Sequence, residues 1–173
     1  MIAPQHFALN TPALRTLRPK LRAATKSGIV IHTDEITEWP TLHQIDQDWQ
    51  NTHGAARGGT MGRFEIGYLS THFIACAEHH GRQCAFVTFQ KRRNEWCLDV
   101  MRQTSEMPDG TMHALVHSAI TAAKEQGIER LSFATISACP DPRSRFFRWS
   151  ARRAISKAGV TSLRQFKSTF APK

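Results

Sequence analysis

Asp99 and Arg102 close an apolar run, Glu95-Trp96-Cys97-Leu98-Asp99-Val100-Met101-Arg102, that reads as a strand. A turn-rich loop follows, and a helix opens at Gly110-Thr111. A charged pair at a strand end, facing a helix N-terminus that can hold an anion, is a common way to build an acyl-transfer or phosphate-recognising cleft. In a regular strand, residues three apart point to opposite faces, so Asp99 and Arg102 enter one cleft only if a bulge intervenes. The alternative is a structural Asp–Arg pair that holds the strand end. Gly110 and Thr111 offer free backbone N–H groups to a phosphate, and simple capping by Thr111 or Asp109 is compatible with that role.

Other reactive types are less organised. His113 and His117 stand i, i+4 on the helix after Gly110, a spacing compatible with metal binding, but no acidic or cysteine ligand accompanies them. No metal is expected, and the two read as polar flank residues. His79-His80 falls in a hairpin turn. Cys139 follows a strand, but Pro140 comes next and no base is evident, so a nucleophilic role is disfavoured. Cys76, Cys84, Cys97 and Cys139 lack CxxC spacing and sit in apolar contexts, as reduced thiols of a cytoplasmic protein do.

The elements that must position these groups follow from periodicity. Strands are predicted near 72–78, 83–89 and 95–101, joined by HHGR and KRRN, and their short connections make an antiparallel meander. Met112, Leu115, Val116, Ala119, Ile120 and Ala123 form one face of a helix from Thr111 to about Gln126, with Gly127 just past its end. A strand at 130–137, a helix from Arg143 to Lys157 and a short helix with Leu163, Phe166 and Phe170 complete the chain. Upstream, Thr11 and Pro12 are placed to start a helix that Gly28 stops, with Pro19 kinking or breaking it. Ile29-Val30-Ile31 reads as a strand and Pro40 to Gln50 as a helix, while residues 1–10 are expected to be poorly ordered. Strand–helix–strand after a meander implies an α+β domain. The organisation expected is residues 1–28 as an N-terminal extension with a basic amphipathic helix, and 29–173 as the main domain.

The 173 residues carry 23 Lys plus Arg against 14 Asp plus Glu, a net charge of +9. That excess favours an anionic partner such as RNA, an acidic membrane surface or a phosphorylated substrate. The cations cluster: Arg15, Arg18, Lys20, Arg22 and Lys26 in the first helix, then Lys91-Arg92-Arg93, then Arg143 to Lys157. The first helix either lies on a membrane or RNA backbone or packs on the domain with its basic face solvated. No apolar run approaches the ~20 residues that span a bilayer.

The segments LRPKLRAATKSGIVI, GRFEIGYL, LDVMR, PDGTMHAL, AKEQGIERL and LRQFKSTFAP, in that order over about residues 17 to 172, resemble the C-terminal catalytic domain of phosphatidylglycerol lysyltransferases (aminoacyl-phosphatidylglycerol synthases). Each motif alone is weak, and the ordered set is specific. The resemblance implies a GNAT-like acyltransferase fold, with a mixed, mostly antiparallel sheet flanked by helices. It also implies transfer of an amino acid, lysine-like, from aminoacyl-tRNA to a headgroup hydroxyl of phosphatidylglycerol. Asp99 and Arg102 fall on the family's DxMR residues and are the catalytic candidates. Asp99 would polarise or deprotonate the hydroxyl, and Arg102 would hold the lipid phosphate or the oxyanion. Lys167 falls on a family lysine and lines the substrate cleft, with a solvated surface lysine as the alternative. Arg63 in the GRF motif either binds tRNA or lipid phosphate or braces the loop, and Arg164 stands likewise; with Gly110, Thr111 and His113 they complete the substrate-binding set, His113 standing where relatives often carry an acidic residue and offering an alternative base.

No cofactor is expected beyond the aminoacyl-tRNA donor. The loop Met107-Pro108-Asp109-Gly110-Thr111 replaces the glycine-rich pyrophosphate loop of acetyl-CoA users, and Asp109 would repel a pyrophosphate. Partners expected are aminoacyl-tRNA and an anionic phospholipid surface, with no transmembrane segment and a cytoplasmic location, peripheral on the inner face of the membrane. The chain departs from the family pattern in lacking the multi-span region, the preceding similar domain and the last, Trp-containing strand, and in carrying Ser162 where glycine is usual. An acyl-CoA-dependent N-acyltransferase and a non-catalytic module binding RNA or anionic membrane are the alternatives.

Overall fold

Three consecutive apolar runs pair as their short connections require. β2 (Phe73–His79), β3 (Arg82–Lys91) and β4 (Glu95–Gln103) form an antiparallel meander. The turn between β2 and β3 places His80 and Gly81 at φ 51° and 75°, the pair of positive angles that a tight hairpin needs. The computed structural model describes residues 1–33, 38–54, 63–133 and 160–172. The predicted helix Arg143–Lys157, the end of the strand predicted at 130–137, and Cys139 lie outside these residues.

β1 (Val30–Thr33) joins β2 antiparallel, and β5 (Arg130–Phe133) joins β4 in parallel, giving a mixed sheet of order β1-β2-β3-β4-β5. Around the sheet lie α1 (Leu17–Lys26), α2 (Trp39–His53), α3 (Ile66–Leu69), α4 (Thr111–Glu125) and α5 (Val160–Ser168). β2 and β3 are buried on both faces, so their side chains feed two cores. On one face Phe73, Val87, Phe89, Trp96 and Leu98 meet Leu17 of α1 and the predicted apolar stripe of α4. On the other, Ile74, Cys76, Phe86 and Val100 meet Leu42 and Ile45 of α2 and Leu69 of α3.

The N-terminal residues differ from the expectation. Ile2 is 5% exposed, and its N–H and carbonyl each bond Leu131 of β5 at 2.8 Å, extending the sheet edge. Ile2, Leu14 and Leu17 are buried in the larger core, so this N-terminal segment shares that core with the rest of the chain. Thr11 starts only a 3-10 turn, Pro12–Leu14, without a side-chain cap. Pro19 breaks nothing, because α1 begins at Leu17 and places it in the first turn, where its missing N–H has no intrahelical acceptor to lose. At the end of α1, Gly28 takes φ 77° and bonds Thr25, while Ile29 bonds Ala24, a double hydrogen-bond stop.

Candidate active site

The Asp99–Arg102 pair is brought to one face by a bulge. Val87 pairs with Met101 and Phe89 with Leu98, so β4 carries one more residue than β3 between those pairs. Thr88, opposite the extra residue, takes the Val100 N–H on its Oγ1 at 3.1 Å. Leu98 and Met101 both pack toward the α4 core, while Val100 turns to the α2–α3 core. Asp99 turns the same way and meets residues of and next to α3.

Its surroundings are closed and specific. The Asp99 side chain is 4% exposed, and Oδ2 lies 3.5 Å from Nε2 of His72, itself 1% exposed. His72 Nδ1 stands 3.0 Å from the Tyr68 carbonyl oxygen. The Tyr68 phenol is held above its usual range, first by burial and then by a hydrogen bond to the Asp99 carboxylate. Burial lowers the His72 imidazole, against the pull of Asp99, with Lys91 of β3 adding to the lowering. Cations ring this centre. Arg63 lies 4.8 Å above the Tyr68 ring and pairs with Glu65 at 3.2 Å, its side chain 60% exposed. Lys167 on α5 is half-buried and close enough to Cys97 of β4 to feel its thiol, and desolvation lowers its ammonium from the usual lysine range.

Arg102 takes a different place from the one expected of a phosphate fork. Its side chain is 6% exposed, Nε is 2.5 Å from Asp46 Oδ1, and the guanidinium lies 4.0 Å over the Trp49 ring. Gln50 donates to the other Asp46 oxygen, and Arg102 also donates to its neighbour's carbonyl, Met101 O. The pair therefore ties β4 to α2, next to the bulge.

At the start of α4, Gly110 packs against α1. Gly110 has φ 84°, and a Cβ there would lie 2.0 Å from the Lys20 carbonyl oxygen of α1. Thr111 is buried and donates to Pro108 O at 2.7 Å, while Asp109 pairs with Lys20 at 2.9 Å. His113 lies between Phe166 and Phe170, ring centroids 4.6 and 5.8 Å away, on the sheet face opposite Asp99. Arg164 is exposed on α5. His117 packs against Phe7, and among the described residues no three metal-ligating side chains gather. A cavity of about 500 Å³ beside the N-terminal segment, lined in part by Ile2, Phe7, Leu14 and Phe170, holds no carboxylate and lies away from Asp99.

Sequence reasoning brought Asp99, Lys167 and Arg63 toward one region and missed Tyr68, His72 and Asp46. Asp46 left a signal. With Leu42, Ile45 and Trp49 it completes i, i+3, i+4, i+7 spacing, so a carboxylate sat on the buried face of α2 and required a buried cation. His72 and Tyr68 left none, since their role depends on where β4 bulges.

The fold agrees with solved structures. A protein from Agrobacterium fabrum, described as the C-terminal domain (DUF2156) of a lysylphosphatidylglycerol synthetase, superposes with a TM-score of 0.78 at 24% identity, covering 99% of this chain and 55% of that one. The L-PGS structure from Bacillus licheniformis gives 0.78 at 21% identity, covering 99% and 56%. This chain thus spans a little over half the length of these relatives. The ribosomal-protein-S18-alanine N-acetyltransferase of Escherichia coli also matches, at a TM-score of 0.48 and 16% identity over 73% of this chain and 76% of that one. No curated protein matches in sequence. The whole chain, residues 1–173, matches the family described as "Phosphatidylglycerol lysyltransferase, C-terminal", and the protein belongs to that family.

Proposed function

We propose that this chain transfers an amino acid from its ester on tRNA to a headgroup hydroxyl of phosphatidylglycerol, with Asp99 as the group that receives the hydroxyl proton. The observation carrying this reading is a carboxylate 4% exposed, set at a strand bulge against Tyr68 and His72 and ringed by cations. In the reaction the acceptor O–H bond breaks, its oxygen bonds the acyl carbon, and the acyl–oxygen bond to the ribose breaks. The ribose oxygen takes up the proton, and nothing is oxidised or reduced. Tyr68 remains protonated, donates to Asp99 and fixes its orientation. Lys167, Arg63 and Lys91 supply positive potential for tRNA and lipid phosphates, as the net charge of +9 does over the whole surface. Arg102, paired with Asp46, holds the bulge in place and so sets the aim of Asp99.

An ester donor needs no coenzyme, and the packing of α1 on Gly110 favours one over a pyrophosphate-bearing thioester. No helix among the described residues is long and apolar enough to cross a membrane. The net charge of +9 favours an anionic, cytoplasm-facing lipid surface, met by peripheral contact, as the place where the acceptor is found. The test is to incubate the protein with lysyl-tRNA carrying labelled lysine and phosphatidylglycerol vesicles and to look for labelled lipid. Asp99→Asn is expected to lower transfer by about 10²-fold or more while leaving the fold intact. Unchanged turnover removes Asp99 from the mechanism. Binding of tRNA or vesicles without transfer by the wild type would favour a non-catalytic module, and thermal stabilisation by coenzyme A would favour a thioester donor.

A further inference from the structure

His72 immediately precedes β2 and is buried, so whatever it does it does inside the site. Three groups face it: Tyr68 from α3, Asp99 from β4 and Lys91 from β3. The Tyr68 carbonyl, 3.0 Å from Nδ1, can only accept, and the Thr71 hydroxyl, 3.3 Å from the same nitrogen, donates to that carbonyl at 2.9 Å, so the neutral tautomer that makes a hydrogen bond here carries its hydrogen on Nδ1. Nε2 is then the basic nitrogen. Among the described residues it has no hydrogen-bond partner, and Asp99 Oδ2 stands 3.5 Å from it. Two lone-pair atoms that close in a site this dry repel each other unless a proton lies between them.

We propose that the gap between His72 Nε2 and Asp99 Oδ2 is the seat of one proton, and that the two residues act as a single base. This rests on the transfer reading above. While the seat is filled the pair is idle. When it is empty, the acceptor hydroxyl gives up its proton to it as the oxygen bonds the acyl carbon, and the ribose oxygen collects that proton as it leaves. His72 is the positioning partner: Tyr68 anchors its Nδ1 and so aims Nε2 at Asp99. Burial lowers the imidazole and so works against filling the seat, while Asp99 opposes that lowering. Transfer should therefore rise with pH as His72 loses its proton and then level off.

Two measurements test this. In the first, long-range proton–nitrogen spectra of the imidazoles are titrated without substrates in the wild type and in Asp99→Asn. The neutral His72 ring is expected to carry its hydrogen on Nδ1, and its midpoint should move to lower pH when the carboxylate is removed. A hydrogen on Nε2, or a midpoint that stays where it was, overturns the proposal. In the second, kcat and KM for transfer are followed against pH in the wild type, His72→Gln and His72→Asn. The variants should lose the acid limb of the profile and about 10²-fold or more in kcat, with KM for the lipid unchanged. A variant that keeps the wild-type limb and rate overturns the pair. If the wild type transfers no amino acid, the functional reading fails, and the substrate-free spectra still decide whether His72 and Asp99 share a proton.

Discussion

Gly110→Ala asks whether the mouth of α4 is a ligand seat or a packing contact. The added Cβ would stand 2.0 Å from the Lys20 carbonyl oxygen, 2.9 Å from the Lys20 carbonyl carbon and 3.2 Å from the Ala24 nitrogen. All three are backbone atoms, so no side chain can swing aside and α1 must retreat by more than about 1 Å. α1 is anchored by Leu17, 0% exposed, with Leu21 packed beside it, and pulling them back loosens the larger core. Forced repacking of that kind costs ~1–3 kcal/mol. The left-handed backbone, φ 84°, adds ~1–2 kcal/mol for alanine, for a total of ~2–5 kcal/mol. Gly127→Ala is the control, since Gly127 has φ 70° and nothing within 4 Å of its Cβ. It should cost only the backbone part, ~1–2 kcal/mol. At ~2–4 °C per kcal/mol for a chain of this size, Gly110→Ala should melt lower than Gly127→Ala by ~2–12 °C in a thermal scan followed by circular dichroism. Equal melting temperatures would mean that α1 does not close on Gly110, and the case for a phosphate at the start of α4 would reopen.

Three further outcomes follow from the same geometry. Asp46→Ala strips a buried guanidinium of its carboxylate and should cost ~3–5 kcal/mol by urea unfolding, whereas the double variant Asp46→Leu/Arg102→Met should recover much of it; equal losses would show that Arg102 does not depend on Asp46. Lys167→Ala should weaken tRNA binding at low salt and flatten the dependence of log affinity on log salt by about 0.7–0.9, the share of one phosphate contact, while unchanged affinity would put Lys167 outside the cleft. Cys76, 3% exposed and with its thiol pushed up to about 12 by burial, should resist iodoacetamide at pH 8 until urea unfolds the chain; modification of the native protein would contradict its placement against α2.

What could be read from the sequence was whatever depends on neighbours a few residues apart. The stripe Met112, Leu115, Val116, Ala119, Ile120 and Ala123 is buried as its spacing required, and the two hairpin connections put β2, β3 and β4 in the order expected. Residues 1–10 depart from the sequence expectation for the complementary reason. Ile2 lies in a short, proline-containing stretch with no periodicity, and it is bonded to Leu131, at the far end of the described sheet. For Pro19 the position within the helix, not its presence in a helical pattern, decides the effect, and the start of α1 at Leu17 is set by packing.

The site shows the same division at finer scale. Asp99 and Arg102 could be named from the sequence, and the geometric condition for their sharing a face could be stated, but a bulge belongs to a pair of strands and is invisible in either alone. One residue of β3 hints at it. Thr88 is the polar member of the run Cys84-Ala85-Phe86-Val87-Thr88-Phe89 and is 0% exposed. A buried hydroxyl in an apolar strand needs a partner, and a regular ladder would leave it none from the backbone opposite, because those N–H groups would already be bonded. It finds one because the extra residue on β4 frees the Val100 N–H, which Thr88 then accepts. The bulge is thus stabilised from across the ladder, and it turns Asp99 onto the face where Tyr68, His72 and the Asp46–Arg102 pair are waiting. A strand of unbroken alternation would have buried Asp99 and Arg102 on opposite faces and left no place for the chemistry proposed.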